Sequence, residues 1–150
     1  GGTPSFPCHL QDTDWYVSPG TAIITDAGYY LNLPDLDFVP GAAILTRVIS
    51  HPAPGIFTTD LGYKGIASDP AAQRGYIVGL EDAVPVVHSE EHWAFRLEDE
   101  AKIPPIGACL YVVPTHICPT TALYPEILVA EDGTVTEKWE VTARNRKINY

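Results

Sequence analysis

Prolines and glycines break this chain so often that long regular helices have no room. Fourteen prolines and twelve glycines are spread over 150 residues. Proline removes a backbone donor and clashes inside a helix, and glycine weakens one. The runs between these breaks are short and rich in β-branched and aromatic residues, which suits strands. Residues 21–26, 42–50, 56–60, 75–78, 84–88, 92–97, 108–113, 126–130 and 134–142 all read this way. Glu131-Asp-Gly133 separates the last two runs, and Asp-Gly between strands predicts a hairpin. Short helical turns are expected only around 70–73 and 119–122. The fold class that follows is mainly β: an antiparallel β-sandwich or barrel-like domain with few short helices.

The size allows one well-buried core and one domain. With 45% hydrophobic and 19% charged residues, the composition is that of a globular chain. A formal net charge of −10 argues against a nucleic-acid or anionic-membrane surface. No apolar run reaches the length of a membrane span. Cys8, Cys109 and Cys118 form no disulfide framework, so a reducing cytoplasm is the expected location. The chain contains no Met and opens on Gly-Gly-Thr-Pro-Ser. That opening is loop chemistry with no element before it, and it suggests a piece of a longer protein.

His116-Ile-Cys118 is the motif with the most chemical content. In an extended strand, residues i and i+2 share a face. An imidazole and a thiol placed so can share one metal ion, and zinc suits that donor pair better than magnesium or calcium. Two protein ligands would leave positions open for water or substrate. The alternative is a half-buried Cys beside an exposed His at a strand end.

Other constellations are weaker. Gly1-Gly-Thr-Pro-Ser5 offers backbone amides to an anion, or forms an ordinary turn. Lys64 lies between Asp60 and Asp69 and reads either as a nucleophilic amine or as an ion-pair partner of one of them. Glu91 or His92, in Ser89-Glu-Glu-His92, reads as a metal ligand, a group that orients one, a proton carrier, or part of an exposed polar turn before a strand. Tyr29, Tyr30, Tyr63 and Tyr124 could line a site, or pack at the rim with their hydroxyls bonded. There is no phosphate-binding P-loop, no dinucleotide fingerprint and no nucleophile elbow.

Taken in order, several stretches resemble one family. They are Gly1-Gly-Thr-Pro-Ser5, Ser18-Pro-Gly-Thr-Ala-Ile-Ile-Thr-Asp26, Thr46-Arg-Val-Ile-Ser50, Asp60-Leu-Gly-Tyr-Lys64 with Ser68-Asp69, Ser89-Glu-Glu-His92, Val113-Pro-Thr-His-Ile-Cys-Pro-Thr120 and Trp139-Glu-Val-Thr-Ala-Arg144. Together they resemble the C-terminal part of the D-threonine aldolase and D-serine dehydratase group, pyridoxal-phosphate enzymes of the alanine racemase fold type.

The resemblance implies a two-part enzyme that forms a homodimer when full length. An N-terminal (β/α) barrel of the same protein would hold pyridoxal 5'-phosphate on a lysine, and a C-terminal β-domain would close over it. Residues 1–15 would then be the end of the barrel and its connection, and 16–150 the β-domain. Gly1, Gly2 and Thr3 would meet the cofactor phosphate. His116 and Cys118 would bind a divalent metal, zinc in first place and manganese in second. Glu91 and His92 would support catalysis. Lys64 would not inherit the cofactor lysine's role, which belongs to the barrel.

The implied activity is lysis of a small D-β-hydroxy amino acid. The first reading is cleavage of a D-threonine-like substrate to glycine and an aldehyde. Its alternative is zinc-dependent D-serine dehydration, because the aldolase branch resembles His-x-Asp where this chain has His-x-Cys. Further alternatives are an amino-acid racemase of the same fold type and a non-catalytic β-domain that binds a partner. An exposed apolar face, where a barrel would dock, is expected as well.

Overall fold

The computed structural model describes residues 2–11, 14–69 and 73–148. Among the described residues, eight strands and two short α-helices alternate with turns. The strands are β1 (Ile44–Ala53), β2 (Ile56–Thr59), β3 (Gly75–Ile77), β4 (Val84–His88), β5 (Trp93–Arg96), β6 (Cys109–Pro114), β7 (Glu126–Glu131) and β8 (Thr134–Glu140). The helices are α1 (Ala27–Asn32) and α2 (Ile117–Thr121). The mainly antiparallel β expectation holds. The expected helical turn at 119–122 is α2, which starts two residues earlier, and the one at 70–73 falls mostly outside the described residues.

Six strands form one antiparallel sheet in the order β3-β6-β1-β2-β5-β4. Strand β1 sets its shape. Ile44 to Arg47 pair with Val112 to Cys109 of β6, and Val48 to Ala53 pair with Thr59 to Ile56 of β2. Irregularities at Val48/Ser50 and Ser50/Ala53 bend the second half. A bulged strand twists more strongly, and one that passes its pairing from one neighbour to another curls the sheet into a half-barrel. Strand β4 is an edge and carries Pro85, whose missing N–H is tolerated there.

The core lies inside the curl. Period-two alternation buries Trp93, Phe95 and Leu97 and exposes Arg96. Register places Phe57 opposite Phe95 and Thr59 opposite Trp93. The two phenylalanine rings stack at 5.5 Å, and Trp93 meets Phe95 at 4.6 Å. Val48, Leu61, Ile66, Ile77 and Val112 complete the cluster. Each such side chain contributes about 1.5–3 kcal/mol by leaving water.

The β7–β8 hairpin is separate from that sheet. Its turn has Asp132 at φ 48° and Gly133 at φ 77°, the left-handed pair that a two-residue hairpin loop requires. The Asp-Gly expectation is therefore met. Apolar side chains also stand in the open. Leu45 and Tyr111 are cross-strand partners and both are exposed. Among the described residues no helix is long and apolar enough to cross a membrane.

One segment departs from the sequence reading. Residues 21–26 form turns, with a single bridge from Thr25 to Pro40, and lead into α1. The reason is Asp26. Its carboxylate accepts from Tyr29 N at 3.0 Å and caps the helix. A six-residue apolar run cannot by itself be told from a strand.

His88, at the end of β4, makes stability pH-dependent. Its ring packs on Trp93 at 4.6 Å, and Nδ1 accepts from the Arg74 guanidinium. Burial, then the Arg74 charge, pushes its pKa from 6.5 down to about 4. The unfolded chain takes up a proton below pH 6.5 that the folded chain refuses until about pH 4. The contribution is thus complete above 6.5 and is lost as pH falls toward 4. The urea midpoint should drop between pH 7 and pH 5.5, and the drop should be smaller in His88→Gln.

Candidate functional site

The His-Ile-Cys segment is built differently from the strand expectation. Strand β6 ends at Pro114, and His116 is the last extended residue, with φ −132° and ψ 100°. Ile117 and Cys118 already belong to α2. Strand alternation therefore does not put His116 and Cys118 on one face. The signal that could have shown this is Pro119, which sits in the first helical turn. Its missing N–H is one that a helix start leaves unpaired anyway.

The backbone around His116 is pinned on every side. Thr115 N donates to Arg74 O at 2.8 Å, and Gly28 N donates to Thr115 O at 3.1 Å. The Thr120 hydroxyl donates to His116 O at 2.7 Å. Ile117 N donates to Asp26 Oδ2 at 3.0 Å. Asp26 is 3% exposed, so one buried carboxylate caps α1 with one oxygen and seats the start of α2 with the other.

On that frame stand two metal-competent side chains. The His116 ring bonds through Nδ1 to Asp69 Oδ2 at 2.7 Å. That hydrogen bond holds the Asp69 carboxyl below the usual carboxylate range. Cys118 is exposed, with its sulfur 3.5 Å from the Thr21 hydroxyl. Among the described residues no group of three or more His, Cys, Asp and Glu side chains is arranged to hold a metal ion. This pair therefore has no third protein ligand there.

Nearby, Thr3 is buried and its hydroxyl accepts from Ala22 N at 3.1 Å. It fastens the N-terminal turn to the segment that carries Thr21. Within that turn the Ser5 and Phe6 amides both donate to Gly2 O. The Gly2–Thr3 stretch is thus a closed turn on the Thr21 side of Cys118. Gly1 lies outside the described residues.

Glu91 and His92 sit elsewhere, in the tight turn between β4 and β5. Ser89 N donates to His92 O at 2.8 Å, and the His92 side chain is exposed. Glu91 Oε1 is 2.7 Å from Lys64 Nζ, and Glu90 Oε2 is 2.9 Å from the same nitrogen. Hydrogen bonds to Glu91 first, then Glu90, raise the lysine's pKa well above its ordinary value. Lys64 is therefore a fixed cation and not a nucleophilic amine. Its partners are these two glutamates, where the sequence had suggested Asp60 or Asp69.

Lys64, Glu91, Asp60, Thr46, Leu45 and Tyr124 border a cleft of about 270 Å³. Asp60 accepts from the Thr46 hydroxyl at 2.6 Å and from Arg47 N at 2.8 Å. Burial acts to raise its pKa, but these hydrogen bonds prevail and lower it. Tyr124 donates to Gly65 O at 2.7 Å, and burial pushes its phenol up.

The stretch from Asp60 to Asp69 joins the two places. Lys64 holds Glu90 and Glu91, Gly65 O accepts from Tyr124, Ala67 N donates to the Thr120 hydroxyl at 3.1 Å, and Asp69 holds His116. These residues stand out in the sequence as a motif, but only the fold makes them a spine between two clusters.

Known proteins share this arrangement of elements. A protein-family model described as "Putative serine dehydratase domain" matches residues 41–130. A D-threonine aldolase from Arthrobacter sp is 33% identical over 127 residues, 83% of this chain and 33% of that enzyme. The crystal structure of D-threonine aldolase from Filomicrobium marinum matches with a TM-score of 0.86 at 27% identity, covering 95% of this chain and 40% of that one. D-threo-3-hydroxyaspartate dehydratase from Delftia sp. HT23 matches with a TM-score of 0.57 at 26% identity, covering 65% of this chain and 31% of that one. The chain thus spans about a third of the length of these enzymes.

Proposed function

The chain belongs to the serine dehydratase domain family, and from that premise we propose that it is the metal-binding C-terminal domain of a pyridoxal-phosphate-dependent lyase. The substrates are D-β-hydroxy amino acids, and the reaction is of the D-threonine aldolase type. The observation that carries this reading is the pinned turn that presents His116 and Cys118, in a chain that matches a D-threonine aldolase over 95% of its length.

The donor set fits a metal of intermediate softness. The Asp69 contact occupies His116 Nδ1 and leaves Nε2 for a cation, and Cys118 is solvent-accessible. A nitrogen and a thiolate sulfur suit zinc, and a two-ligand site keeps positions open for substrate. The chemistry such a metal supplies is Lewis-acidic, lowering the pKa of a bound hydroxyl. Pyridoxal phosphate, when bound, supplies an electron sink.

The lysine that holds the cofactor is not Lys64, which is ion-paired, and it belongs to a barrel that this chain does not include. Gly1, Gly2 and Thr3 are assigned to the cofactor phosphate at the junction with that barrel, with residues 1–15 as the connection. Glu91, on the cleft, and His92, beside it in the 89–92 turn, are assigned to proton handling, and Lys64 holds Glu91 in place. The working protein is a cytoplasmic homodimer.

A second reading is a dehydratase. The thiol of Cys118 and the likeness to the hydroxyaspartate dehydratase favour it. Assays of the full-length protein on D-threonine and D-serine separate the two. Glycine released from D-threonine supports the aldolase, and pyruvate from D-serine the dehydratase. Inactivity on both, with metal and cofactor supplied, contradicts the proposal.

A further inference from the structure

The residue that aims the metal ligand lies 47 positions away from it in the chain. We propose that Asp69 is a positioning residue, which fixes the tautomer and direction of the His116 ring so that Nε2 is the atom presented to a metal. The inference rests on the metal reading above and adds a residue to it.

Thr115, His116 and Ile117 are held by Arg74 O, Gly28 N, Thr120 Oγ1 and Asp26 Oδ2. What remains free at His116 is rotation of its side chain, and the ring is only half-buried. Asp69 removes that freedom with one contact of 2.7 Å from Oδ2 to Nδ1. The segment that carries Asp69 is anchored two residues earlier, where Ala67 N donates to the Thr120 hydroxyl, and that hydroxyl donates to His116 O. Thr120 therefore ties the segment carrying the carboxylate to the residue carrying the ring.

The chemistry then has one outcome. An ionised carboxylate only accepts hydrogen bonds, so Nδ1 must be the donor. In a neutral ring with its proton on Nδ1, the lone pair is on Nε2. Metal-bound histidines commonly give their second nitrogen to a carboxylate in this way, and losing that partner costs about 10–100-fold in metal affinity.

Cobalt(II) is the probe, because a thiolate bound to it gives a charge-transfer band. The full-length protein is titrated as wild type, Cys118→Ala, Asp69→Ala and Asp69→Asn, and the His116 tautomer is read by ¹⁵N NMR without metal. The expected result is a band that Cys118→Ala abolishes. Asp69→Ala should keep the band at about 10–100-fold weaker affinity, with the Nδ1-protonated form no longer dominant. Asp69→Asn, whose amide oxygen still accepts, should restore most of the affinity and the tautomer.

Wild-type affinity and tautomer in Asp69→Ala overturn the positioning role and leave the metal site standing. So does weakening in both Asp69 variants with the tautomer unchanged. A wild type without the thiolate band overturns the metal reading, and the positioning role with it.

Discussion

Replacing Trp93 by Ala is expected to destabilise the domain by about 3–5 kcal/mol, the usual cost of emptying a large aromatic site. Trp93 is 1% exposed and packs on both Phe95 and His88 at 4.6 Å. It also sits opposite Thr59, whose hydroxyl donates to Trp93 O at 3.3 Å. The neighbouring Phe57 and Phe95 rings are already stacked on each other. A domain is typically stable by about 5–15 kcal/mol, so the loss is a large share of the total. The melting temperature should fall by about 10 °C or more. A melt within a degree or two of wild type would mean that the core is not where the fold puts it.

Gly62→Ala should be nearly as damaging, for a different reason. A Cβ there would lie 2.0 Å from Glu90 O, 2.1 Å from Glu90 C and 2.2 Å from Glu91 N. These are backbone atoms and cannot rotate away. The 89–92 turn would have to move off the 61–65 segment, losing Tyr63 N to Ser89 O and Lys64 N to Glu90 O. Overpacking of this kind costs about 1–3 kcal/mol and more when main chain must shift. The same displacement carries Glu91 away from the cleft it lines. Gly20→Ala is the control, since nothing lies within 4 Å of its Cβ position. Equal melting temperatures for the two variants would contradict the close approach.

Much of the fold was legible in the chain, because strands are short-range objects. The run at 92–97 read as a strand and became β5, and Asp132-Gly133 marked the hairpin turn. What was not legible depends on pairs far apart in sequence. Asp26 looked like the end of a strand, and its second role, accepting from Ile117 N, spans 91 residues. Lys64 was read against the carboxylates closest in sequence, whereas its partners come from the 89–92 turn.

The candidate site divides in the same way. His116 and Cys118 were visible as residue types, but the reason first offered for pairing them was strand alternation, and the helix that starts at Ile117 removes it. The contact between Asp69 and His116 needed the fold to appear at all. Donor chemistry can be read from sequence, but the direction in which a donor points is set by tertiary hydrogen bonds.

The central claim is that His116 and Cys118 hold a catalytic metal. Metal content of the full-length protein, purified as wild type, His116→Ala and Cys118→Ala, tests it most directly. The expected result is about one zinc per chain in the wild type, as an open site of this donor set would hold, and its loss together with lyase activity in both variants. Metal-free wild type that is fully active, or variants that keep both metal and activity, would contradict the account.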